Sequence, residues 1–409
     1  MRHEKKSREL NGMNSIMSVA MLIPIVLLFL LSACSAPMRQ LAVPQTLTAQ
    51  AEVVGFNGVR YLVSPEMPGF AKDAVDSFYR EQAYLAKIGQ SKSLPTANFL
   101  ALSGGGDDGA FGAGLLCGWT VHGNRPEFKA VTGISTGALI APFAFLGPKY
   151  DFVLEKVYTK TQPKDILEER SVFSVIFDDA MADNTPLKRL LGQYVNEGML
   201  KEIAEEYARG RLLLIATTNL DARKAVIWNM GKIAATGHPD ALKLFQQIML
   251  ASAAIPGAFP PVMIDVEADG KRYQEMHVDG GAMAQVFLYP PSLKVGDLSK
   301  ERNVQRERRL YVIRNSRLDP DWAEVERRAV SIAGRAITSL IQTQGIGDLY
   351  KIYAETSRDG IDFNLAYIPK SFNAPHQEEF DTNYMRQLFQ TGYDLAINGY
   401  PWEKKPPGL

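Results

Sequence analysis

One serine stands between two glycines in the stretch Gly133-Ile134-Ser135-Thr136-Gly137. Gly-x-Ser-x-Gly is the pattern in which a sharp strand-to-helix turn lifts a serine hydroxyl toward a carbonyl carbon. The residues before it, "FKAV", read as a buried strand, and "TGALIAPFAFLG" after it reads as an apolar helix. The context the motif requires is therefore present. Five residues built from common types are also compatible with an ordinary turn whose serine caps the helix. A nucleophile needs two further things: a group that takes its proton and donors for the oxyanion that forms when it attacks.

Donors are offered upstream by "LALSGGGDDGAFGAG", which places Gly104, Gly105, Gly106, Gly109, Gly112 and Gly114 between a strand and a helix. Such a loop exposes backbone N–H groups at a helix start, where negative charge is stabilised. The spacing Gly104-x-Gly106-x-x-Gly109 also matches a dinucleotide fingerprint. That fingerprint requires an acidic residue about 20 positions on, at the end of the next strand. The next strand instead ends in Thr132-Gly133-Ile134-Ser135. Asp107 and Asp108, inside the loop, would repel a pyrophosphate. Oxyanion stabilisation is the chemistry that remains.

The proton acceptor is less obvious. The chain holds five histidines: His3, His122, His238, His277 and His376. His122 and His238 fall at helix ends, and His376 in the polar loop "NAPHQEEF". His277 lies two residues before Asp279 in "EMHVDGGAM", on the same side of a strand. Two side chains so placed point side by side, whereas a triad needs its carboxylate behind the imidazole. A direct Ser135–Asp279 dyad is favoured over a Ser135–His277–Asp279 triad, although Asp279-Gly280-Gly281 is also a strong turn signal.

These residues must be positioned by a larger pattern. Strand-like runs alternate with helix-like ones: "NFLALSGGG", "AFGAGLLCGWTVHG", "FKAVTGIS", "RLLLIATTNL", "AVIWNM", "HPDALKLFQQIMLASAAI", "KRYQEMHVDGG" and "RRLYVIRNS". Alternation of this kind predicts an α/β fold whose mostly parallel sheet is covered on both faces. A helix is expected over residues 70–88, one or two long helices over 324–360, a strand at 361–369 and a closing helix at 382–399. Residues 96–300 form the expected catalytic core, and 301–409 supply C-terminal strands and helices packing on it. Residues 34–95 read as a tether plus the first helix, with residues 35–69 holding little regular structure. The apolar segment "IPGAFPPVM" reads as core in preference to a pocket wall.

With 45 basic and 45 acidic residues, the chain offers no electrostatic reason to bind nucleic acid. Its beginning is distinct. Arg2, Lys5, Lys6 and Arg8 precede the apolar run of residues 19–31, which is the length of a signal-peptide core and short for a membrane span. The following Leu31-Ser32-Ala33-Cys34 resembles the lipobox of bacterial lipoproteins. That likeness implies a signal peptide of residues 1–33, lipidation of Cys34, and attachment to a bacterial membrane. Ser35 favours the outer membrane. An uncleaved N-terminal anchor is the alternative. Cys117, in "GLLCGW", then has no disulfide partner and reads as a small core residue.

Taken in order, the loop Gly104–Gly109, the serine turn and Asp279-Gly280-Gly281 resemble the patatin-like phospholipase family. So do "NTPLKRLL", "IATTNLDARKAVIWNM" and "ASAAIPGAFPPV", and the similarity spans roughly residues 97–290. The resemblance implies a three-layer α/β/α fold and hydrolysis of lipid acyl esters, with no cofactor and no metal. It makes Ser135 the nucleophile, Asp279 its base, and the N–H groups of Gly104, Gly105 and Gly106 the oxyanion hole. Gly109, Gly133, Gly137, Gly280 and Gly281 support the motifs. One departure stands out. The family usually has Arg or Lys where this chain has Asp108. Loss of that cation favours a neutral acylglycerol or another uncharged ester over a phospholipid, and it raises the alternative of a lipid-anchored binding protein with a degenerate site.

Overall fold

A computed structural model describes residues 39–90, 93–169 and 180–409. The expected signal sequence and Cys34 lie outside the described residues. At the centre are strands β3 (Ala97–Leu102), β4 (Ala130–Gly133), β7 (Leu212–Asn219), β11 (Arg308–Arg314) and β12 (Asp362–Tyr367). They run parallel in the order β7-β4-β3-β11-β12. Parallel strands covered on both faces read as continuous apolar runs, which is how these segments read. Leu100, Leu102, Val131, Leu213 and Ile313 pack on one face; Ala101, Leu214, Leu310 and Val312 pack on the other.

The first face is covered by α2 (Gly109–His122), α3 (Thr136–Leu146), α4 (Asp151–Lys160), α6 (Thr185–Tyr194), α7 (Glu197–Ala208), α9 (Ala241–Ser252) and α12 (Thr382–Ile397), with the short α5 (Pro163–Ile166) and α8 (Met230–Ala235) beside them. The second face is covered by α1 (Pro68–Lys87), α10 (Val295–Glu301) and the buried half of α11 (Ala329–Asp359). The result is the expected three-layer α/β/α arrangement. Residues 324–360 resolve into the single helix α11.

The sheet forks at β7. Strand β8 (Lys224–Asn229) runs antiparallel along residues 214–219 of β7. Strand β4 pairs with residues 212–215 and β10 (Lys271–Asp279) with residues 217–219. Both overlap β8 along β7, so β4 and β10 must share the opposite edge, end to end. Beyond β10 come β9 (Val262–Ala268) and β1 (Glu52–Val53). Beyond β8 comes β2 (Arg60–Leu62). A separate ribbon pairs β5 (Glu168–Glu169) with β6 (Ala182–Asp183).

Strands β1 and β2 correct the reading of residues 35–69 as a tether. Val53, Phe56, Val59 and Tyr61 are buried, and the two strands close antiparallel edges of the sheet. Each is too short to show a period of two, and the scattered prolines dominate the composition. Strand β9 was also missed. Val262, Ile264, Val266 and Ala268 alternate into the core, and the β9–β10 hairpin turns at Asp269-Gly270, both with positive φ.

Helices α2 and α12 meet backbone to backbone. A Cβ on Gly114 would lie 2.0 Å from the Phe389 carbonyl oxygen, and one on Gly118 2.3 Å from that of Tyr393. Because α2 begins at the glycine loop, this contact also fixes the loop. Gly114→Ala is expected to cost about 1–3 kcal/mol by overpacking, read as a lower urea midpoint with an unchanged m-value. An unchanged midpoint would show that the helices separate freely.

Candidate active site

Ser135 occupies the turn between β4 and α3 with φ 54° and ψ −126°. A non-glycine residue in this region is strained and persists only when its surroundings fix it. Here the Ser135 N–H donates to Ser252 Oγ at 3.0 Å, and Ser252 Oγ donates to the Ala216 carbonyl at 2.7 Å. The Ser135 carbonyl accepts from Ala138 N–H at 2.8 Å. Gly137 is required because a Cβ there would sit 2.4 Å from the Leu102 carbonyl oxygen, and Gly133 is hemmed in by the Gly137 carbonyl at the same distance.

Asp279 ends β10, and the fork in the sheet brings it to Ser135. Gly133 is in register with Ile215, and Asp279 with Thr217, on the same edge of β7. Two residues along a strand span about 7 Å, a distance that the turn at Ile134-Ser135 bridges. Asp279 Oδ1 accepts from Gly281 N–H at 2.6 Å. Gly280 packs on the Ala216 carbonyl and Gly281 against Asp279 Oδ1 itself. Oδ2 is buried and closes no hydrogen bond. Burial pushes the carboxyl up to about 7, against the opposing pull of the Ser135 hydroxyl and the Gly281 N–H. The hydroxyl is thus near enough to act on the carboxylate while no well-formed bond joins them, a frequent geometry in unliganded sites.

His277 does not join this pair. Its Nδ1 is 2.8 Å from Thr217 Oγ1 and its Nε2 3.0 Å from Glu275 Oε2. Glu275 in turn pairs with Arg60. Both ring nitrogens are engaged in a buried network, and burial lowers the imidazole's pKa. The Ser135–His277–Asp279 line is not formed.

The glycine loop lies directly on the serine; a Cβ on Gly104 would be 3.2 Å from Ser135 Cβ. Expectation and structure differ at Gly104, whose N–H already donates to the Gln285 carbonyl at 3.0 Å. Gly104 is therefore not an available oxyanion donor. No hydrogen bond reaches the N–H groups of Gly105 and Gly106 among the described residues. Gly105, at φ 154°, leaves no room for a side chain: its Cβ would meet the Asn315 carbonyl oxygen at 1.9 Å. Gly109 faces Thr136 Oγ1 at 2.1 Å by the same measure.

Asn315 is a residue the sequence did not flag. Its Nδ2 donates to the Ser103 carbonyl at 2.9 Å, and its Oδ1 accepts from Gly112 N–H at 3.1 Å. It holds both ends of the loop. The only signal was its position at the end of a strand, beside the loop's own strand.

The loop acids are neutralised from the C-terminal region. Asp107 Oδ2 accepts from His376 Nε2 at 2.7 Å and from Phe380 N–H at 3.0 Å. Asp108 Oδ1 accepts from the Tyr384 hydroxyl at 2.6 Å. Burial pushes Asp108 up to about 7, with Tyr384 pulling the other way and Asp107 adding to the rise. For His376, burial works against the cation. The bond to Asp107 and the charges of Asp107, Glu379 and Asp108 outweigh it, and its pKa is raised. The loop "NAPHQEEF" is thus a clamp on the glycine loop.

Beside Ser135 opens an apolar cavity walled by Leu139, Phe143, Leu154, Leu187, Phe259 and Phe380 among others. Ile255 and Phe259 of "IPGAFPPVM" line it, so that segment is pocket wall as well as core. No group of three or more potential metal ligands occurs among the described residues.

An elbow serine, a buried carboxyl, a glycine loop with two unbonded N–H groups and an apolar cavity, set on an α/β/α fold, are the parts that serine-ester chemistry requires. Residues 100–290 match the model of the patatin-like phospholipase family, so this stretch carries a patatin-like phospholipase domain. Among solved structures it is similar to VipD from Legionella pneumophila, at 12% identity over 75% of this chain and 67% of that one, with a TM-score of 0.32. No curated protein sequence matches it.

The His376–Asp107 pair yields a pH signature. A raised folded pKa means stabilisation that is complete below the unfolded value, near 6.5, and lost as pH rises through the folded value. The melting-temperature gap between wild type and His376→Ala is therefore expected to be widest below about pH 6.5 and to shrink above it. A gap that does not vary with pH would show that the imidazole bonds Asp107 in its neutral form.

Proposed function

We propose that the protein hydrolyses lipid acyl esters through an acyl-serine intermediate, with Ser135 as nucleophile and Asp279 as base. The observation that carries this is the buried Asp279 carboxyl, with one oxygen unpaired, brought beside the elbow serine while every nitrogen of His277 is engaged elsewhere. Ser135 Oγ attacks the ester carbonyl carbon and its proton passes to Asp279. The carbonyl oxygen becomes an oxyanion held by the Gly105 and Gly106 N–H groups. The carbonyl re-forms, and the leaving alcohol departs with the proton from Asp279. Water then gives its proton to Asp279 and attacks the acyl-serine. Collapse releases the fatty acid and returns the proton to Ser135. The cavity beside Ser135 takes the acyl chain.

Loop electrostatics favour an uncharged ester. Asp107 and Asp108 are tied to His376 and Tyr384, so neither is a bare charge, and the loop itself carries no cation for a phosphate. Acylglycerols are accordingly proposed ahead of phospholipids.

Ser135→Ala should abolish labelling by a fluorophosphonate probe and turnover of both ester classes. Asp279→Asn should lower kcat/KM by about 10²–10⁴, and His277→Gln should leave it near wild type. The base must be ionised, so kcat/KM should rise with pH through about 7. An acid with a raised folded pKa costs stability as pH rises from its unfolded value to its folded one. Asp279→Asn should therefore melt higher than wild type at neutral pH, which separates loss of the base from loss of the fold. Labelling that survives Ser135→Ala, or activity that survives Asp279→Asn, would sink the dyad. Absence of both labelling and turnover in wild type would favour the degenerate binding protein.

We also propose that a lipidated Cys34 attaches the protein to the bacterial outer membrane, on the likeness of residues 31–34 to a lipobox. Cys34→Ser should move the protein from the membrane fraction to the soluble fraction. Retention in the membrane would point to an uncleaved N-terminal anchor.

A further inference from the structure

Helix α11 has two halves of opposite character. Its second half buries Leu349 and Ile352 against the sheet. Its first half stands clear of the core, and from residue 329 to 347 the only charged side chain is Arg335. At 100° per residue, Ile332, Ala333, Ala336, Ile337, Leu340 and Ile341 share one half of the helix circumference. All six are exposed, Leu340 to 70% and Ile337 to 57%.

The opposite half carries Ser331, Arg335 and Gln342, each of them half-buried. Arg335 Nη1 donates to Asp321 Oδ2 at 2.8 Å, and Gln342 Nε2 donates to the Asp319 carbonyl at 3.0 Å. A water-facing helix normally turns its polar stripe outward and its apolar stripe to the core. Here the order is inverted. The loop that binds the polar side also presents Trp322, which is 88% exposed. An exposed apolar helix face with an exposed tryptophan on the adjoining loop is the kind of surface that marks an interaction site.

Two features select the occupant. The surface begins at the site mouth: Gln344 Nε2 donates to the Met283 carbonyl at 2.8 Å, and Gln344 Oε1 accepts from Gln285, which bonds the Gly281 carbonyl. Met283 and Ile255 are exposed there too. Residues 317–335 hold four acids and four arginines, so nothing draws the surface to anionic lipid. No helix of the described residues is long and apolar enough to cross a membrane. An uncapped apolar stripe with an exposed tryptophan suits a helix lying in a lipid interface.

We infer that Trp322 and the outward face of α11 form a docking surface for a zwitterionic lipid interface, seating the site mouth on it. The choice of partner rests on the lipid-hydrolase reading; the docking itself does not require turnover. The test uses the full chain and vesicles of phosphatidylcholine brominated in the acyl chains. Trp119, Trp228 and Trp402 lie within the fold, so the emission removed by Trp322→Phe reports the surface even if the N-terminus tethers the protein. That emission should be quenched by the vesicles. The double variant Ile337→Glu/Leu340→Glu should abolish the quenching. It should also lower hydrolysis of a diacylglycerol carried in those vesicles at least about tenfold while leaving a water-soluble short-chain ester unaffected. Quenching by an inactive preparation would support docking and count against the catalytic reading alone. No quenching in wild type, or quenching that the double variant retains, overturns the proposal. So does a dimer in light scattering that the double variant dissolves and vesicles do not, since a second copy then covers the face.

Discussion

Everything in the site depends on the shared edge of β7. Strand β4 occupies its first half in parallel and β10 its second half antiparallel, so the end of one strand faces the end of the other. Ser135 leaves from β4 and Asp279 ends β10. The two side chains come from distant parts of the sequence, yet their separation is set by a register of two residues on one strand. A one-residue slip of β10 would turn Asp279 to the other face of the sheet. The hairpin to β9 opposes such a slip by pairing β10 from Lys271 to His277. Strand β1 and the Arg60–Glu275–His277 network brace that hairpin from the N-terminal segment.

The site carries two local costs. Ser135 is held at positive φ, a strain of about 1–3 kcal/mol, and Asp279 is a carboxyl deprived of water. Each is imposed by tight packing around small residues. Ser252 bonds both the Ser135 N–H and the Ala216 carbonyl, and Gly280 lies on that same carbonyl. One backbone position on β7 therefore holds the Ser135 turn and the Asp279 turn together. The Asp279 carboxyl is pushed up to about 7 because the fork closes around it and buries it.

Much of this was legible in the sequence because it rests on local chemistry. A strained turn requires glycines beside its serine, a loop with free N–H groups requires glycines in a row, and parallel buried strands read as apolar runs. The parts that were not legible lack a local signature. Strands β1 and β2 have two and three residues, too few for a period, and their identity comes only from the edges they close. Asn315 is an ordinary strand-end residue until β11 aligns with β3. His376 reads as a polar loop residue until α12 packs on α2 and brings Asp107 beneath it. Gly104 reads as a donor like its neighbours, but Gln285 already accepts its N–H.

These long-range contacts change what counts as the catalytic unit. The family match ends at residue 290, and the later chain reads as mere packing. Yet Asn315 holds the glycine loop, His376 and Tyr384 neutralise its acids, Phe380 walls the cavity, and Gln344 touches the mouth. Asp107 and Asp108 find their partners in α12 and the segment before it. The acids and the C-terminal region thus form one unit, a clamp that uses the two carboxylates as its attachment points. Since that clamp includes Phe380, it also links the setting of the glycine loop to the shape of the cavity.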